Sequence, residues 1–172
     1  MTWIRRWPAL AALLLAGLAV APLARPETAG CASAPSPQVT LDRLNAVRLH
    51  GASCRPSGAA PLRWSANLAA VAAAQSRAMS ELNEMSHRDA QNRGLPERLA
   101  AMDYRFSAAV ENVAVGYASL DAVVEAWLDS ASHCDNLMDA KVLELGLACS
   151  DSGAAPEGRY WTLVLGAPRR TR

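Results

Sequence analysis

The stretch Val142-Leu-Glu-Leu-Gly-Leu-Ala-Cys-Ser-Asp-Ser-Gly-Ala-Ala-Pro-Glu-Gly-Arg-Tyr-Trp-Thr-Leu-Val-Leu-Gly166 decides the fold class, because here the hydrophobic period changes. Leu143, Leu145, Leu147 and Cys149 alternate with Val142, Glu144, Gly146 and Ala148, the two-residue period of a strand over 142–149. A turn-rich segment, Ser150 to Gly158, leads to a second apolar run from Tyr160 to Gly166. Two such runs around a turn predict a β-hairpin.

Upstream, the period is helical. Leu41, Leu44 and Val47 recur at three-residue steps and Gly51 stops them, so residues 38–50 read as a helix. Ser65 caps a second helix to about Leu82, whose stripe of Leu68, Val71, Ala72, Met79 and Leu82 is interrupted only by polar Gln75. Pro96 suits a first helical turn, and Leu99 with Met102 marks a third, short helix. Ser119 precedes a fourth at about 120–130, packing through Val123, Val124 and Trp127, and a short strand is expected over Asn112 to Tyr117. Helices first and strands last, with no βαβ alternation, predict an α+β fold with a small antiparallel sheet and about four helices.

The chain has 172 residues, 51% of them hydrophobic, enough for one domain with a core and short for two. Lys+Arg 17 against Asp+Glu 16 leaves no basic stripe for a nucleic acid, so no nucleic-acid partner is expected. Met1 to Ala24 reads as an export signal: Arg5 and Arg6 precede an apolar run, and Ala19, Ala21 and Ala24 offer cleavage positions. Residues 25–37, with three prolines, read as a linker to a domain over 38–168. The expected location is therefore secreted or periplasmic. Membrane contact would come only from an uncleaved N-terminal helix or from a lipid on Cys31, which follows small residues. Export makes disulfides the default for Cys31, Cys54, Cys134 and Cys149. Three pairings are open; closeness in sequence favours Cys134–Cys149, with Cys31 and Cys54 left over.

No G-x-S-x-G, H-E-x-x-H, Walker loop, G-x-G-x-x-G or C-x-x-C occurs. His50 ends the first helix, where a cation complements the helix dipole. His87 follows the second helix and His133 the fourth, at element ends where functional groups are commonly displayed. Glu111 lies in the apolar run Ala108 to Val115 and needs a partner. Glu144 interrupts a strand, on the face opposite its leucines. Trp127 and Trp161 read as core.

Together these segments resemble the bacterial branch of the CAP superfamily, the cysteine-rich secretory, antigen 5 and pathogenesis-related 1 proteins with an SCP-like domain. The resemblance runs through Pro61-Leu62-Arg63-Trp64, Met85-Ser86-His87, Glu111-Asn112-Val113-Ala114, Ala126-Trp127-Leu128-Asp129-Ser130, His133-Cys134-Asp135-Asn136-Leu137-Met138, Leu143-Glu144-Leu145-Gly146 and Tyr160-Trp161-Thr162. It covers about residues 38–168. Val110 stands where the family commonly has Gly, and Ala131-Ser132 where it has Pro-Gly. The cysteine-rich extension of some animal members is missing.

The resemblance implies an α-β-α sandwich and a cavity lined by two histidines and two acids, falling here on His87, Glu111, His133 and Glu144. Such a tetrad is able to hold Zn²⁺ or another divalent cation on His87 and His133, with Glu111 and Glu144 orienting the imidazoles. Two functions follow as expectations. The first is an exported binding module for a lipid, a cell-envelope component or a protein partner. The alternative is a metal-assisted, protease-like hydrolase with Glu111 or Glu144 as general base.

Overall fold

The computed structural model describes residues 31, 35–153 and 158–169. The expected export signal lies outside them, as does most of the linker. Among the described residues no helix is long and apolar enough to cross a membrane.

Among the described residues five helices and four strands follow in the order α1 (Pro37–His50), β1 (Arg63–Trp64), α2 (Ala66–Leu82), α3 (Leu95–Ala101), β2 (Phe106–Val115), α4 (Leu120–Asp129), α5 (Ala131–Leu137), β3 (Glu144–Asp151) and β4 (Arg159–Pro168). The serine caps act as read: Ser65 accepts from Leu68 N and Ser119 from Ala122 N, each satisfying an orphan donor of the first turn. Pro96 sits in the first turn of α3.

The sheet order is β1-β3-β4-β2. β3 and β4 form the expected hairpin, and β2 adds antiparallel to β4. The sheet is nevertheless mixed, because β1 pairs parallel with β3. Two residues are too few to show a period, so β1 left no pattern in the sequence. The strand expected at 112–117 is longer and begins at Phe106; its first half is Ala- and Ser-rich, without regular alternation. α5 was not foreseen either. His133 lies within it rather than directly after α4.

Both sheet faces are covered. On one, Leu145, Leu147, Trp161, Leu163 and Leu165 pack with Leu44 and Val47 of α1, Val123, Val124 and Trp127 of α4, and Leu137 of α5. Burying an aliphatic side chain of this kind contributes about 1.5–3 kcal/mol. On the other, Val164 packs with Leu68, Val71 and Ala72 of α2, Leu99 of α3, and Tyr104. This three-layer α-β-α arrangement explains Gly146: a Cβ there would lie 2.0 Å from Ala69 N, so α2 rests its backbone directly on β3. Trp127 and Trp161 are core, 1% exposed each, and their Nε1 groups donate to Val113 O and Tyr117 O.

The disulfides correct the expected pairing. Cys31 bonds Cys149, and Cys54 bonds Cys134. Cys134 and Cys149 are close in sequence, but Cys134 is on α5, which faces the loop after α1, while Cys149 is on β3. Spatial neighbours, not loop length, decide. Cys31 is thus paired with Cys149 rather than left over.

Candidate functional site

Glu111 is at the middle of β2, paired across the sheet with Val164. Its side chain is only 3% exposed, and such a carboxylate needs full compensation. Arg98 of α3 provides it. Its Nη1 donates to Glu111 Oε2 at 2.9 Å and its Nη2 to Oε1 at 3.0 Å, a bidentate pair between two buried groups. His87 Nδ1 lies 2.9 Å from the same Oε1. An ionised carboxylate only accepts, so Nδ1 carries the proton and Nε2 faces outward. That hydrogen bond to Glu111 raises the His87 pKa above its ordinary value, against partial burial and the Arg98 charge.

The loop carrying His87 is gripped from two sides. Gln75 Nε2 donates to Ser86 O at 2.7 Å and to Arg88 O at 3.2 Å, and Arg98 Nη2 donates to His87 O at 3.2 Å. Gln75 is buried on α2 together with polar Ser76 and Ser80, and its break in the apolar stripe was the signal of its role. Arg98 carried no comparable signal, although the demand of Glu111 for a partner was legible.

His133 reaches the site from the other side of β2, the edge strand. Asn112 Nδ2 donates to His133 O at 3.0 Å, and Asn136 Nδ2 donates to Asn112 Oδ1 at 2.8 Å. The Cys54–Cys134 bond fixes the residue next to it. Burial lowers the His133 pKa, and the His87 charge lowers it further.

Glu144 has partners of its own. It accepts from Tyr104 Oη at 2.9 Å and pairs loosely with exposed Arg63 at 3.6 Å. Burial, then the bond to Glu144, pushes the Tyr104 hydroxyl above its ordinary range, so it stays protonated and donates. Tyr104 lies across Gly166, where a Cβ would come 2.9 Å from its hydroxyl. The sequence reading missed Tyr104. His50 sits exposed in the last turn of α1, consistent with its dipole role.

His87 and Glu111 are thus in direct contact, while the Glu144 carboxylate is bonded to Tyr104. His87 and Glu111 line one cleft with Arg88, Gly94 and Leu95. His133 lines a neighbouring cleft of about 280 Å³ whose walls are Met85, Val113, Tyr117 and Trp127. The matching family profile, described as the cysteine-rich secretory protein family, spans residues 41–165.

The chain belongs to the CAP family.

Two relatives come from Bacillus subtilis. The uncharacterized membrane protein YlbC is 34% identical over 107 residues, 62% of this chain and 29% of its own length. The uncharacterized protein YkwD is 27% identical over 134 residues, 78% of this chain and 52% of its own. The chain thus spans about half or less of the curated relatives it matches. Among solved structures, an extracellular SCP-domain protein from Bacillus anthracis aligns with TM-score 0.65 and 25% identity, covering 76% of this chain and 39% of the other. An outer surface protein from Borrelia burgdorferi aligns with TM-score 0.65 and 19% identity, covering 77% of this chain and 92% of the other, and supports the fold alone. Extracellular relatives and two disulfides fit an extracellular location for this CAP domain.

The donor set bears on a metal. Both Glu111 oxygens are engaged by Arg98, and Glu144 faces Tyr104. Among the described residues no three His, Cys, Asp or Glu side chains cluster as ligands. A zinc takes three or four protein ligands, so His87 and His133 would need a further donor to hold one.

Proposed function

We propose that this CAP domain is an extracellular binding module, with no bond-breaking step, that takes an amphipathic ligand along the β2 edge. The ligand's apolar part enters the cleft walled by Met85, Val113, Tyr117 and Trp127. Its polar head meets the outward nitrogens of His87 and His133. Lipids and amphipathic cell-envelope components have this chemistry; a protein partner offers it through one apolar side chain.

The observation that carries the reading is the bidentate lock of Arg98 on Glu111. A general base needs a lone pair aimed at the proton it takes. Glu111 spends its oxygens on Arg98 and His87, and Glu144 is tied to Tyr104. The hydrolase reading thereby loses Glu111 as its base, whereas a binding site asks only that the two imidazoles be held in place. Glu111 acts here as a positioning group.

A fluorescent long-chain fatty acid tests this. Saturable binding is expected, weakened about tenfold by Met85→Asp or His133→Ala, each of which removes contacts on the order of 1.4 kcal/mol. Hydrolysis of a fluorogenic ester or peptide, with added Zn²⁺, should stay at the blank rate. Turnover that disappears in Glu111→Gln would overturn the proposal in favour of the hydrolase.

A further inference from the structure

A larger cleft lies elsewhere, where α3 turns into β2. It encloses about 470 Å³ and is lined by Ala100, Asp103, Tyr104, Arg105, Phe106 and Arg169. Its volume falls in the range of small-molecule sites. The tetrad residues take no part in it.

Its chemistry is that of an anion site. Arg169 N donates to Arg105 O at 2.8 Å, just beyond the Phe106–Pro168 pair, so the two arginines stand on adjoining extended segments. Like charges so placed are destabilising unless something offsets them. Among the described residues neither guanidinium has a carboxylate within salt-bridge distance, and the two stand together in one cleft. Asp103 is the one acid in the lining, and it offsets only part of that charge.

The remaining walls are aromatic. Tyr104 has committed its hydroxyl to Glu144, so it offers the cleft its ring. A register shift between Phe106 and Ala108 bulges β2 beside the cleft, a distortion that re-aims neighbouring side chains.

We propose that this cleft binds a phosphate monoester carried on an apolar or planar body. Two guanidiniums in the lining of one cleft offer more donors than one carboxylate accepts, while a phosphate monoester has three free oxygens to share between them. The body lies against Tyr104 and Phe106. The source of the ester is either a soluble metabolite or glycan, or a lipid headgroup.

The test uses the full chain and three probes: inorganic phosphate, phenyl phosphate, and phosphatidylcholine vesicles with or without phosphatidic acid. Phenyl phosphate should produce saturable amide NMR shifts confined to residues 103–106 and 166–169, and should bind more tightly than inorganic phosphate. Arg105→Gln and Arg169→Gln should each weaken it about tenfold, the scale of a lost hydrogen bond to a charged group. Asp103→Asn, which removes the opposing charge at a position with φ 53° that Asn tolerates, should tighten it about fivefold. Both guanidiniums are exposed and unpaired among the described residues, so melting temperatures should not fall and loss of binding is not loss of fold. Vesicle binding that needs phosphatidic acid and both arginines would support the proposal with a lipid source. Phenyl phosphate binding without it would support a soluble one. No saturable binding by any probe, equal affinity in the Arg105→Gln/Arg169→Gln variant, or shifts centred on His87 and His133 would overturn it.

Discussion

Glu111 and Glu144 point from the same sheet face, on strands separated only by β4, yet their surroundings differ in kind. Glu111 is buried in the middle of β2, and only a full charge with two parallel donors makes it tolerable there. Glu144, at the start of β3, keeps 18% of its side chain exposed and needs only a phenol and a loose arginine. The depth of a carboxylate, not its place in a motif, sets the strength of partner it requires. That depth also separates the roles. Glu111 passes its constraint on to His87, while Glu144 holds Tyr104 over Gly166.

The largest contrast should come from deleting the arginines. Arg98→Ala strands a buried carboxylate and should cost about 3–5 kcal/mol in denaturant unfolding. Arg63→Ala should cost less than about 1 kcal/mol, since that guanidinium is 74% exposed and 3.6 Å away. Similar losses in the two variants would break the comparison.

Next in size is Tyr104→Phe, which removes the donor to Glu144 and should cost on the order of 1 kcal/mol. The His87 titration should be unmoved by it, because Glu144 lies outside the His87 site. A shifted His87 would show that the two carboxylates act as one unit.

How much of this was legible follows from the same physics. The long helices and the hairpin were readable because Leu68, Val71 and Met79, or Leu145 and Leu147, repeat with a clear period. β1 and α5 were not, being short and settled by tertiary pairing. The demand of Glu111 for a partner was legible from its apolar run, but Arg98, thirteen positions away on another element, was not. Glu144 was assigned to the site from family resemblance, and nothing local to it shows that Tyr104 would claim it. The disulfides were misread because spacing along the chain says little about which side of a sheet each cysteine reaches.

The smallest effects are in pH, where the histidines oppose each other. Folding raises the His87 pKa, so its pair with Glu111 adds stability in full below about pH 6.5, lost as pH rises through the folded value. Folding lowers the His133 pKa, so its contribution is present above about pH 6.5 and is lost as pH falls through the folded value. Stability curves of His87→Ala and His133→Ala should therefore diverge from wild type on opposite sides of that range. Parallel curves would show that the imidazoles share one environment.

The central claim is that Glu111, held by Arg98, fixes the His87 ring with Nδ1 protonated. Side-chain ¹⁵N NMR of the histidines across pH, in wild type and Glu111→Gln, tests it most directly. The account predicts a neutral His87 with its proton on Nδ1 and a pKa above the ordinary 6.5, falling in the variant, with His133 below 6.5 in wild type. A His87 that is protonated on Nε2 when neutral, or whose pKa does not change in Glu111→Gln, would contradict it.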